Sequence, residues 1–75
     1  NSNVFCHQNR VNIKKEKLVP IQQVEIIDMY GRVVWTGEAV GEKTEITLNV
    51  AAGIYGVRIA TGEGQYFTTK VIINN

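Results

Sequence analysis

The stretch Val24-Glu25-Ile26-Ile27-Asp28-Met29-Tyr30-Gly31-Arg32-Val33-Val34-Trp35 holds two strand-like runs joined by a turn whose residues answer to backbone geometry. Val24 and Ile26 alternate with Glu25, the period of two of a half-buried strand, and Asp28 closes the run. An aspartate at a strand end accepts a bond from its own backbone two residues on and so starts a turn. Met29 and Tyr30 then occupy the centre of the turn, and Gly31 supplies the left-handed conformation that other residues reach only at a cost. The simplest solution is a three-residue hairpin with a glycine bulge. Arg32 opens the return strand through the β-formers Val33, Val34 and Trp35.

Outward from this hairpin the same alternation recurs. Val11 and Ile13 alternate with Asn12 and Lys14, a short strand expected to end in a solvated charged turn, Lys14 to Lys17. Pro20 fits where a strand begins but not inside a central one. Gly37 to Gly41 carry turn chemistry. Thr44 to Val50 is the clearest amphipathic run, with Ile46, Leu48 and Val50 on one face. Tyr55, Val57 and Ile59 share a face of the next strand, where Gly56 suggests a bulge or a close backbone approach. Thr61 to Gly64 reads as another hairpin turn, and a last strand runs from Gln65 through Ile73 with Phe67, Thr69, Val71 and Ile73 on one face.

Turn signals about every ten residues, with no sustained helical period, are the signature of an all-β sandwich. The expected core is Val24, Ile26, Val34, Ile46, Leu48, Tyr55, Val57, Ile59, Val71 and Ile73, with residues 1–9 a linker or weak first strand.

The chain has 75 residues, enough for one domain that buries roughly 60% of its unfolded surface. Eight basic and seven acidic residues leave a net charge of +1, scattered along the chain, so no nucleic-acid or anionic-membrane surface is implied. No apolar run approaches the roughly 20 residues that cross a bilayer, and no signal peptide is legible. The chain starts at Asn1 and is expected to be a piece of a longer protein.

Catalytic chemistry is thin. Cys6 is the only cysteine, which excludes an internal disulfide and a thiolate metal cluster, and His7 beside it lacks an orienting third group. Asp28, Glu25 and Glu45 have no clustered partner, and the glycines belong to turns and not to a phosphate cradle. No enzyme, cofactor, metal or small-molecule substrate is expected. Tyr30, Trp35, Tyr55, Tyr66 and Phe67 are assigned to core and cross-strand packing, with a sugar-stacking platform as the alternative. Arg32 and Arg58 lie in strands, as members of cross-strand ion pairs or as stems over apolar surface, with partner binding as the alternative role.

Three segments together resemble a known family: Val24 to Arg32, Ala52 to Ile59 and Thr69 to Ile73. In order and spacing they resemble the C-terminal signal domain of type IX secretion cargo proteins of Bacteroidetes, over residues 10–75. The resemblance implies an immunoglobulin-like β-sandwich of about seven antiparallel strands. It implies a secretion signal that directs the parent cargo across the outer membrane, first through the periplasm and then to the cell surface or medium. Its implied partners are the outer-membrane translocon and a sortase-like signal peptidase that removes the domain near its N-terminal edge. Asp28, Gly31 and Arg32 match the first motif, Gly53, Tyr55 and Arg58 the second, and Lys70, Val71, Ile72 and Ile73 the third. Members often carry a bulky residue where Gly56 stands, and a basic end where Asn74 and Asn75 stand. Lys70, Val71, Ile72, Ile73, Asn74 and Asn75 are the residues expected to be read by the translocon, since a final strand can add to a partner's sheet. The alternative function is an adhesin-like or carbohydrate-binding module, and exposed edges also admit a homodimer.

Overall fold

The computed structural model describes residues 2–15, 22–60, 64 and 66–74, with the side chains of residues 2, 3 and 22 excepted. Seven strands follow in order: β1 (Ser2–His7), β2 (Arg10–Lys15), β3 (Gln22–Ile27), β4 (Val33–Ala39), β5 (Lys43–Thr47), β6 (Gly53–Ala60) and β7 (Tyr66–Ile73). Every pairing is antiparallel, and the strands form a three-stranded sheet β1-β2-β5 and a four-stranded sheet β4-β3-β6-β7. The constant-type immunoglobulin arrangement places its fourth strand beside the fifth. Here the fourth strand has moved to the other sheet, beside β3, and the rest of the order is kept. The chain is therefore an all-β, immunoglobulin-like sandwich.

Alternation along the strands builds the core. The smaller sheet contributes Val11, Ile13 and Ile46, and the larger contributes Val24, Ile26, Ala39, Tyr55, Val57, Ile59, Val71 and Ile73, all buried, with Leu48 beside them. Val4, Cys6, Trp35 and Val50 pack against this cluster. Each fully buried Val or Ile contributes on the order of 1.5–3 kcal/mol relative to exposure.

Several local expectations change. Val34 is exposed instead of buried, because the register slips between Ile26 and Ile27: Ile26 faces Trp35 while Ile27 faces Val33. Val34 is thus the extra residue of a β-bulge, turned off the core face. Gly37 lies inside β4 and not in a turn, and the Trp35 ring occupies the space above it, where a Cβ would come within 2.5 Å of the indole. The turn that follows is shorter, with Gly41 at φ 79°. Lys14 and Lys15 belong to β2, and Lys15 is buried with its N–H on the Glu42 carbonyl at 2.9 Å. The amphipathic run ends as a strand at Thr47, after which Leu48 is held by its N–H on the Asn9 carbonyl at 2.8 Å. Gly56 marks neither a bulge nor a close approach: the ladders on both sides run through it in register, and an added Cβ would meet only Thr68 Cγ2 at 3.9 Å. Phe67 faces inward by register but remains 46% exposed at the end of the sheet. Pro20 and the turn segment 61–63 lie outside the described residues.

Candidate functional site

The three motif segments can be followed atom by atom. In the first, the Asp28 carboxylate accepts the backbone N–H of Tyr30 and of Arg32, each at 2.9 Å, and Arg32 Nε at 2.9 Å. The Asp28 N–H donates to the Arg32 carbonyl at 2.9 Å, and the Gly31 N–H donates to the Asp28 carbonyl at 3.1 Å, with Gly31 at φ 85°. This is the three-residue hairpin with its glycine in the left-handed position. The Arg32 backbone N–H, helped by the Tyr30 N–H and the Arg32 guanidinium, holds the Asp28 carboxyl below its ordinary range against a smaller opposing effect of burial. Arg32 also stacks its guanidinium 5.4 Å from the Tyr30 ring. Asp28, Gly31 and Arg32 therefore serve one turn.

In the second segment the Tyr55 hydroxyl donates to the Ala51 carbonyl at 2.6 Å. A tyrosine near the start of the sixth strand, bonding back to the backbone before it, is the tyrosine corner of immunoglobulin-like sandwiches. Gly53 stands at φ 159°, a backbone conformation that residues with a Cβ rarely adopt, although a Cβ there would meet only the Tyr55 ring at 3.9 Å, so its backbone and not its space calls for a glycine. Arg58 lies directly across from Glu25, with Nη1 to Oε1 at 3.3 Å, and its guanidinium sits 5.8 Å from the Tyr66 ring. Cross-strand pairing is thus the structural role of Arg58, while Arg32 pairs within its own turn. Trp35 and Tyr55 pack on the core as expected, but Tyr30 and Tyr66 are exposed.

The third segment is the outer strand of the larger sheet. β7 alternates: Val71 and Ile73 are buried, while Lys70, Ile72 and Asn74 are exposed. The expected recognition residues therefore fall into two sets, and Asn75 lies outside the described residues. The end of β7 meets β1 of the other sheet, through the Asn74 N–H on the Gln8 carbonyl at 3.0 Å and the Cys6 thiol on the Ile72 carbonyl at 3.2 Å. Burial pushes the Cys6 thiol up from its ordinary value, which keeps it a donor. Nothing local in the sequence marks these contacts, since they join residues far apart in the chain. Among the described residues no group of three His, Cys, Asp or Glu side chains is placed to hold a metal.

The distinctive residues thus build a turn, a corner and an edge strand, which defines a small immunoglobulin-like module whose conspicuous surface is the edge of a sheet. A family model described as a secretion system C-terminal sorting domain matches residues 7–74. The chain belongs to that family, the C-terminal sorting domains of type IX secretion. No curated protein matches it. A domain of this family is recognised by the type IX machinery and marks its parent for export across the outer membrane; it is a signal and not itself a catalyst.

Proposed function

We propose that the export machinery reads this domain at its last strand, through the exposed side chains of Lys70, Ile72 and Asn74 and through Asn75 that follows them in sequence, while Val71 and Ile73 keep that strand in the sandwich. The observation that carries the reading is the alternation on an edge strand: Val71 and Ile73 are core, and their neighbours Lys70, Ile72 and Asn74 present their side chains to solvent. An edge offers unpaired N–H and C=O groups to an added strand, and the alternate side chains give selectivity. Residues 10–75 carry the signal, and residues 1–9 precede it and contribute the first strand of the sandwich, Ser2–His7. A sortase-like peptidase then removes the domain near its N-terminal edge, in keeping with the resemblance, and the cargo passes from periplasm to cell surface or medium. Pairing of two copies would use β4 or β7, the outer strands of the larger sheet.

The test separates reading from folding. Lys70→Glu with Ile72→Thr, in a fusion of the domain to a periplasmic reporter, should abolish export while leaving the circular dichroism and melting of the isolated domain unchanged. Unimpaired export of that double variant would contradict the proposal.

A further inference from the structure

The outer edge of β7 is not open along its whole length. Its two bonds to the other sheet, from Asn74 to Gln8 and from Cys6 to Ile72, are clasps between sheets and not rungs of a ladder. Gln8, which accepts the first clasp, stands at φ 56°, the left-handed region, and no other non-glycine described residue does so. A side chain there carries strain that surrounding contacts must offset. Between the strands runs a cleft of about 440 Å³, with Val4, Cys6 and His7 on one wall and Lys70, Ile72 and Asn74 on the other.

In an antiparallel strand the N–H and C=O of one residue point the same way, and alternate residues point alike. The Ile72 carbonyl and the Asn74 N–H face β1, so the N–H and C=O of Lys70 face the cleft as well. No backbone bond joins Lys70 to β1 among the described residues. Donors and acceptors at this two-residue spacing are complementary to another extended chain. Among the described residues no acidic side chain lines the cleft, whereas Lys70 does, so charge complementarity favours a carboxylate on the incoming chain.

We propose that the cleft between β1 and β7 accepts an extended, acidic peptide segment of the export machinery, which pairs with the Lys70–Asn74 edge and displaces the clasps from Cys6 and Gln8. This rests on the sorting-domain reading above and adds a coupling to it. β1 is an outer strand laddered only to β2, and most of it precedes residue 7, where the family match begins. Occupying the cleft therefore loosens β1, its opposite wall, which rests on the core only through the partly buried Val4 and Cys6.

The test uses the full 75-residue chain and a synthetic hexapeptide with blocked ends, valine alternating with threonine and one central glutamate. With saturating peptide, the Lys70 amide should exchange about tenfold more slowly, and Cys6, the only thiol in the chain, should be alkylated by iodoacetamide about tenfold faster. A peptide with prolines in alternate positions, which cannot form the ladder, should do neither. Asn74→Pro, which removes the donor of one clasp, should speed Cys6 alkylation without peptide. The proposal is overturned if millimolar peptide leaves Lys70 exchange unchanged, if exchange slows while Cys6 alkylation stays constant, or if the proline peptide acts equally well. These readouts come from the isolated chain, so loss of the export reading in a reporter assay and loss of this inference are separate results.

Discussion

The Tyr55 hydroxyl donates a 2.6 Å hydrogen bond to the Ala51 carbonyl, four residues upstream, and so closes the corner through which the chain passes from the smaller sheet into the larger one. The ring of Tyr55 is buried on the core while its oxygen reaches the corner, so one side chain joins packing to backbone satisfaction. Tyr55→Phe keeps the ring and hands the Ala51 carbonyl, on an exposed residue, back to water, at a cost of about 0.5–1.5 kcal/mol. In a domain this small, each kcal/mol lowers the melting temperature by roughly 4–8 °C. Thermal melting at neutral pH checks it, and a variant that melts with the parent chain would remove the corner from the account.

The Asp28 turn makes acid stability testable. Its carboxyl is held below the ordinary value of 3.8 in the folded chain, chiefly by the Arg32 backbone N–H. A depressed folded value means that the stabilisation is complete above the unfolded value and is lost as pH falls through the folded one. Urea midpoints taken from pH 6 down to pH 2 should fall below about pH 4, and Asp28→Asn should be less stable at pH 6 but show a shallower acid fall. Parallel acid limbs for the two chains would assign the acid sensitivity to other carboxylates.

Three glycines should respond differently to alanine. Gly31, at φ 85°, should lose about 1–2 kcal/mol, since a Cβ in the left-handed region is strained. Gly37→Ala should be destabilising and should move the Trp35 emission to longer wavelength, because the new Cβ displaces the indole ring. Gly56→Ala should be neutral or stabilising by up to about 1 kcal/mol, as the site has room and alanine restricts the unfolded chain. Urea unfolding with tryptophan emission reads all three, and a strong loss at Gly56 would contradict the room that the two ladders leave beside it.

The Glu25–Arg58 pair is partly exposed and set on the outer face of the larger sheet. Pairs of this kind contribute about 0–1 kcal/mol. Glu25→Gln and Arg58→Gln should each shift the urea midpoint only slightly, and a loss above about 2 kcal/mol would mean that the pair is far more shielded than its side-chain exposures indicate.

The legible parts of this fold are those governed by nearest neighbours. Asp28 and Gly31 announce their hairpin because turn chemistry is local, and Tyr55, Val57 and Ile59 announce the buried face of β6 because a strand repeats every two residues. Val34 was not legible as exposed, since a bulge moves a residue off its face without changing its type. Gly37 read as a turn because the Trp35 ring that covers it cannot be seen in composition, and Lys15 read as solvated because its burial comes from its central place between β1 and β5. The hydroxyl of Tyr55 gave no sign of its partner. The clasps to β7 depend on two sheets closing on one another, which no local pattern records.

These 75 residues should suffice to send a passenger through the outer membrane. A fusion of residues 1–75 to a periplasmic reporter carrying its own inner-membrane signal, expressed in a type IX-competent strain and in the same strain lacking the translocon, tests it most directly. Reporter should reach the cell surface or the medium only in the competent strain and should stay in the periplasm when the translocon is absent. Reporter retained in the periplasm of both strains, with the domain folded, would contradict it.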